Sequence, residues 1–316
     1  MKAVVYDKSK APEVLELREV EKPIPGDNEV LVRIFAVSVN AADYRSMRLG
    51  IIPKRRIFGA DIAGCIETVG KNVKKLAVGD EVFGDTSSCG FGGLAEYVVV
   101  PERLLASKPK EISFEAAAAI PMAAVTALQA VRNKGNTQQG KKVLICGAGG
   151  GVGTFAVQMS KYFGAEVTAV CSENNVELVK DLGADYVINY NREDFTKGGK
   201  RYDLVLAVNG NNPLAGYKHV LTKRGVLVVV GGGLSQVIKT MLFGAFMSIG
   251  SKKMTLLAAK NSTEDLEFII KLVKEAKIKP VIDRRYSLNE TAKAMQYLSE
   301  GHARGKVVIN VVNCTN

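Results

Sequence analysis

The chain has little of what staples a fold, ligates a metal or spans a bilayer. Its 316 residues hold five cysteines and two histidines. The cysteines (Cys65, Cys89, Cys146, Cys171 and Cys314) form no C-x-x-C pair, and their number is odd. Free thiols of this kind point to a reduced, cytosolic compartment. Cys146 and Cys171 stand inside apolar runs, where a thiol serves as a small hydrophobe. No uninterrupted apolar segment reaches membrane-spanning length. The nearest, 234–250, is broken by Gln236, Lys239 and Thr240, which argues against an integral membrane protein. The opening MKAVVYDKSK reads directly as a strand and lacks a signal-peptide pattern. The formal net charge is +11, but its lysines and arginines are dispersed. They lack the interleaved aromatics of a single-strand nucleic-acid groove. The charge reads instead as a basic surface that also draws an anionic cofactor, with no nucleic-acid partner.

What the chain does have is concentrated between Val143 and Val170, VLICGAGGGVGTFAVQMSKYFGAEVTAV. A short apolar run reads as a strand buried on both faces. Gly147, Gly149, Gly150, Gly151 and Gly153 follow within seven residues. Next comes a helix with Val152, Phe155, Ala156 and Met159 on one face, then a second strand over 166–170. Glycines let a backbone approach a pyrophosphate, and a helix N-terminus offers free N–H groups and partial positive charge. The spacing is irregular: Gly147, Gly150 and Gly153 lie three apart, and the strict G-x-G-x-x-G frame begins at Ala148. A flexible turn is the competing reading of a bare glycine run; the flanking strand, helix and strand favour a dinucleotide site.

Residues 1 to about 115 read as short strands punctuated by glycine and proline. From Glu115 helices and strands alternate, with a helix on both sides of Pro121. Strands are predicted at 143–146, 167–171, 186–188, 204–207, 226–230 and 254–257. This predicts an α/β protein with a Rossmann doubly wound parallel sheet. Near the C-terminus, TEDLEFIIKLVKEAK and NETAKAMQYLSEG read as amphipathic helices and KVVINVV as a strand returning to the β-rich part. The expected boundaries are a discontinuous β domain over 1–118 and 257–316 and a dinucleotide domain over 119–256.

Motifs in collinear order carry a resemblance: SVNAADYRSMRLG (38–50), FGADIAGCIETVG (58–70), VGDEVFG (78–84), GGLAEYVVV (92–100), GAGGGVG (147–153), LGADYVINY (182–190) and GHARGKVVI (301–309). Over essentially its whole length the chain resembles the medium-chain dehydrogenase/reductase superfamily, in its zinc-free quinone-oxidoreductase and enone-reductase branch. The resemblance implies a GroES-like β domain beside the Rossmann domain. It also implies NAD(P)H-dependent hydride transfer to a small conjugated carbonyl (enone) or quinone acceptor. Asn40 stands at the cysteine position of the zinc-dependent relatives' ligand set, and Gly59-Ala60-Asp61 replaces their G-H-E motif. His219 and His302 are far apart. A catalytic zinc needs three protein ligands and an open position, so no metal is expected.

The resemblance also nominates site residues, each with a plainer alternative. Asn40 lines the nicotinamide cleft or caps a turn; Asp43 shares that element or serves a helix N-terminus. Tyr44 donates to the acceptor oxygen or packs. Thr126 lies beside the nicotinamide or in a helix core. Phe91 and Leu94 form pocket wall or core. Gly147, Gly149, Gly150, Gly151, Val152 and Gly153 take the pyrophosphate. Asn209, Gly210 and Gly231 to Gly233 (Gly232 between them) fall at strand ends where ligands bind, or form plain turns. Lys306 reaches the cofactor phosphates or is solvated. Ser172 and Tyr190 match an NADPH pattern, whereas Glu173 would repel a 2′-phosphate and Asn174 and Asn175 stand where a basic residue is usual. NADPH is expected, with NADH as the alternative. Two other functions compete: a non-catalytic NADPH-binding protein of a crystallin-like or regulatory kind, and a membrane-surface protein using 235–253. The latter segment is read instead as a helix and strand at the sheet edge and a candidate homodimer contact.

Overall fold

The structure is a computed structural model that describes residues 1–7, 14–53, 55–208, 212–231 and 251–311. The chain divides into two compact units. One comprises Met1–Val125, Asn261–Ala276 and Pro280–Asn316; the other comprises Thr126–Lys260 and Lys277–Lys279.

The first unit is β-rich. Strands β1 (Lys2–Asp7) and β2 (Val14–Glu19) form an antiparallel pair. Strand β3 (Glu29–Val39) is the spine of the larger sheet, and helix α1 (Ala41–Arg48) follows it directly. Strands β4 (Asp61–Val69), β5 (Glu81–Asp85), β6 (Tyr97–Pro101) and β7 (Leu105–Ser107) complete this segment. Val30, Val32, Ile34, Val37 and Val39 of β3 are all buried in one core with Phe58, Ile62 and Leu94. Glycine and proline turns break the chain into short strands, as the composition implies. Helix α2 (Phe114–Ala118) is capped by Ser113, whose Oγ accepts from the Ala116 N–H at 3.1 Å. Helix α3 (Pro121–Leu128) begins at its proline, the position where a missing N–H costs nothing. A π-helical turn over 129–134 continues it, closed by the Gly135 N–H to the Ala130 carbonyl at 2.8 Å.

The second unit is a parallel sheet with helices between its strands. It contains β8 (Lys142–Cys146), α4 (Gly151–Tyr162), β9 (Glu166–Cys171), α5 (Val176–Asp181), β10 (Tyr186–Asn189), β11 (Tyr202–Val208), α6 (Leu214–His219), β12 (Leu221–Val230) and β13 (Lys253–Leu256). The order is β10-β9-β8-β11-β12-β13, parallel throughout. Val143, Leu144, Ile145, Val167, Leu204, Val205 and Leu206 are fully buried, as a sheet covered on both faces requires. Strand order reverses between β8 and β11, the switch point beside which such sheets bind ligands. The segment 235–250, read above as sheet edge and dimer contact, lies outside the described residues.

The chain returns to the first unit through α7 (Thr263–Lys274), β14 (Ile282–Ser287), α8 (Thr291–Ser299) and β15 (Lys306–Asn310). β15 pairs antiparallel with β3, and β14 pairs parallel with β15. The expected architecture, a Rossmann sheet plus a discontinuous GroES-like β domain, is the one observed. Among the described residues no helix is long and apolar enough to cross a membrane.

Candidate functional site

The glycine turn links β8 to α4, and its glycines do different work. Gly147 has φ +80°, and a Cβ there would overlap the Val208 carbonyl oxygen on β11. A Cβ on Gly153 would overlap the Gly147 oxygen. Both positions are small because backbone packs on backbone. Gly150 differs: a Cβ there would meet only the Gly147 oxygen, at 3.7 Å, so its space opens away from protein. Gly150 is the N-cap of α4, extended at φ −87° and ψ 179°, and no side chain caps the helix. The first N–H groups of a helix have no partner within it. Those of Gly151, Val152 and Gly153 therefore head a twelve-residue helix whose dipole favours an anion. Open space at Gly150 below uncapped N–H groups fits a pyrophosphate.

Beyond β9, Ser172 accepts from the Asn175 amide at 3.1 Å. The Asn175 Oδ1 is buried without a hydrogen-bond partner, and its side chain abuts the turn at Gly149. The Tyr190 N–H donates to the Cys171 carbonyl at 3.1 Å, fixing the end of β10 against the tip of β9. On sequence alone Glu173 reads as a charge that would repel a 2′-phosphate or serve a ribose diol. It is instead ion-paired to Arg192 at 2.9 Å and also accepts from the Asn189 amide. Gly231, φ +68°, ends β12. Asn209, Gly210, Gly232 and Gly233 lie outside the described residues. Thr126, on α3, is half-buried.

In the first unit, strand register gathers a second group. Ser38 on β3 faces Asp61 on β4, and Val39 faces Val307 on β15. Asn40, one residue past β3, thus lies between Asp61 and Lys306. The Lys306 ammonium donates to Asn40 Oδ1 at 2.5 Å and lies 3.4 Å from Asp61 Oδ2. Asn40 Nδ2 donates to Asp61 at 2.9 Å and to the Ser38 carbonyl at 3.3 Å. The other Asp61 oxygen accepts the Met122 N–H at 3.0 Å, in the first turn of α3. Asp61 is fully buried and Lys306 is 3% exposed. Lys306 was expected to be solvated or to extend to phosphates. The structure places its ammonium in this buried network instead. Burial pushes the Asp61 carboxyl up to about 7, against the opposing pull of Lys306.

Asn40 occupies the N-cap of α1, in a capping box with Asp43. Asp43 secures that end: its carboxylate accepts from the Asn40 N–H at 2.7 Å and the Gly59 N–H at 3.1 Å. It is fully buried, and burial raises it to about 6. Tyr44 is half-buried, with the Arg45 and Arg48 guanidinium carbons 5.8 and 5.4 Å from its ring centroid. Its hydroxyl makes no hydrogen bond among the described residues. Leu94 is fully buried core, and Phe91 packs against Phe58 at 5.6 Å. Among the described residues no group of three His, Cys, Asp or Glu side chains is placed to hold a metal ion.

Sequence reasoning missed the pairing of Lys306 with Asp61 and the cation at Arg192. The first left a trace: each charge heads an otherwise apolar strand, in DIAGCI and KVVIN.

Comparison with known proteins adds the following. The alcohol dehydrogenase GroES-like domain matches residues 26–110, and the zinc-binding dehydrogenase family matches residues 182–309. A chloroplast envelope quinone oxidoreductase homologue of Arabidopsis thaliana is 35% identical, over 93% of each chain. An NADPH-dependent alkenal/one oxidoreductase of the same plant, a chloroplastic protein, is 32% identical over 98% of this chain and 79% of its own length. The solved structure of the quinone oxidoreductase from Coxiella burnetii superposes with a TM-score of 0.89 at 31% identity, covering 99% of both chains. The cytosolic expectation does not survive these matches. Curated relatives of 32–35% identity are named as chloroplast, chloroplastic or mitochondrial proteins. Free thiols report a reducing milieu rather than an address.

Proposed function

The chain belongs to the medium-chain dehydrogenase/reductase superfamily as an NAD(P)H-dependent oxidoreductase, and from that premise we propose that it reduces conjugated enones or quinones without zinc, preferring NADPH to NADH. The observation that carries the reading is the open, uncapped N-terminus of α4 above Gly150. When bound, the nicotinamide cofactor supplies the hydride. Gly150, Gly151, Val152 and Gly153 hold the pyrophosphate through backbone N–H groups. Ser172 and Tyr190 attend the adenosine end, and Asn209, Gly231, Gly232 and Thr126 the nicotinamide.

Charge develops on the acceptor oxygen as hydride adds to a conjugated carbon. A donor there lowers the barrier. Tyr44 suits that task, because no described residue takes its phenol hydrogen. Asn40 does not, because both its amide hydrogens are engaged. Its role is to shape the site, held in one rotamer by Lys306 and Asp61. Zinc independence rests on the same residues. An amide stands at Asn40, a methyl at Ala60, and the Lys306 ammonium brings a positive charge against Asp61, where a divalent cation would be repelled.

The test is oxidation of NADPH and NADH against short enones, long-chain enones and quinones. We expect turnover with at least one class and a lower KM for NADPH. Tight dinucleotide binding with no turnover on any of them would favour the non-catalytic alternative.

A further inference from the structure

The stretch that follows β9, Ser172-Glu173-Asn174-Asn175, contains no cation and one acid. Read alone, it disfavours a phosphorylated ribose. The fold brings a cation to it from the next strand. Asn189 ends β10 and organises a tight turn. Its carbonyl accepts from the Arg192 N–H at 3.0 Å and the Glu193 N–H at 2.9 Å, and its Oδ1 accepts from the Asn191 N–H at 3.0 Å. Arg192 therefore rises from a backbone fixed at three points. Its guanidinium meets Glu173 at 2.9 Å while its side chain remains 74% exposed. It is thus accessible to a ligand and already beside the acid that would oppose one. Tyr190, Arg192 and Lys197 line an open cavity of about 550 Å³ together with Glu193 and Asp194. The Asp194 carboxylate accepts from the Thr196 N–H at 2.9 Å and hydroxyl at 2.7 Å and lies 3.9 Å from the Lys197 ammonium.

We propose that Arg192 is the residue that selects NADPH over NADH, pairing with the 2′-phosphate, and that Glu173 is its internal competitor, which tempers the preference. A guanidinium offers five donors in a planar fork and can serve a carboxylate and a phosphate together. In an NADH complex Arg192 stays with Glu173, and the ribose gains nothing from it. In an NADPH complex the phosphate takes the open edge of the guanidinium, and Glu173 both holds the arginine in place and repels the phosphate. The inference rests on the dinucleotide reading of the glycine turn.

The experiment is equilibrium titration of the full chain with NADPH and with NADH, read by nicotinamide fluorescence, at low and high salt. Arg192→Gln should weaken NADPH about 10- to 100-fold, the worth of a charge-assisted hydrogen bond, and leave NADH within about threefold. It should also flatten the salt dependence of NADPH binding, since one ionic contact is gone. Glu173→Gln should tighten NADPH several-fold and leave NADH unchanged, which shows that this face remains folded. Equal weakening of both dinucleotides by Arg192→Gln, or no change in NADPH, overturns the assignment to Arg192 and leaves the dinucleotide reading intact. A wild-type chain that binds neither dinucleotide overturns both.

Discussion

Replacing Lys306 by methionine keeps most of the side-chain volume and removes one charge from a sealed site. Asp61 would then retain only the Asn40 amide and the Met122 N–H, and Asn40 Oδ1 would lose its donor. The sign of the pH dependence follows from Asp61. Its carboxyl is raised from 3.8 to about 7. The folded state therefore binds the proton more tightly than the unfolded chain, and the stability this confers is lost as pH climbs from about 4 towards 7. Lys306 is the group that opposes this rise, so the variant should keep its proton to a still higher pH. Near pH 6 both proteins carry it, and the difference is the lost hydrogen bond, about 1–2 kcal/mol. Above pH 7 wild-type Asp61 ionises and the variant's does not. Each pH unit then separates the two by about 1.4 kcal/mol. At pH about 8.5 the deficit should reach roughly 3–4 kcal/mol, within the range for a broken buried pair. Urea denaturation measures the total. Hydrogen exchange at the amides of β3 and β15 reads the unit concerned. A deficit that stays flat from pH 6 to 8.5, or falls below about 1 kcal/mol at the upper end, would refute an ion pair at this position.

Three further outcomes follow. Gly150→Val should abolish dinucleotide binding with circular dichroism unchanged, because the new side chain enters open space, whereas Gly153→Ala should lower the melting temperature because it strikes backbone; the reverse pattern would misassign the cradle. Tyr44→Phe keeps the ring beside Arg45 and Arg48 and should lower kcat by about 10- to 100-fold, whereas unchanged turnover would mean that the acceptor proton comes from elsewhere. Elemental analysis should find no stoichiometric zinc and chelators should spare activity; one tightly bound zinc per chain would overturn the reading of Asn40, Ala60 and Lys306.

The parallel sheet could be read directly because its strands are buried on both faces. Val143–Cys146, 167–171 and 204–207 appear as apolar runs, and the helices between them are amphipathic or capped by glycine. Pro121 marked the break between α2 and α3. The π-helical turn after α3 escaped, since QAVRNK carries no periodicity that separates it from an ordinary helical turn. The side chains of the candidate site were harder for a different reason. Lys306 was assigned to water or phosphate because a lysine is rarely buried unless paired, and its partner lies 245 residues earlier. Glu173 reads as an obstacle in sequence because its neutralising arginine arrives from the turn after the following strand. Asp43 was left open between site and helix end, and the carboxylate is spent on two backbone amides.

That same separation has a consequence for how the protein is made. Synthesis is vectorial, and domains tend to fold in the order in which they leave the ribosome. β3 and β4, with Asn40 and Asp61 at their ends, emerge before the parallel unit, and β15 emerges after it. The parallel unit, contiguous from Thr126 to Lys260 apart from Lys277–Lys279, is available almost whole before Lys306 exists. During that interval Ala36 to Val39 of β3, the stretch that β15 pairs, lack that partner, and Asp61 has no cation. A strand edge of this kind is where mispairing with a second nascent chain begins. Asp61, on the adjacent β4, sits one strand in from that edge, and an unpaired acid there disfavours burial against a second chain.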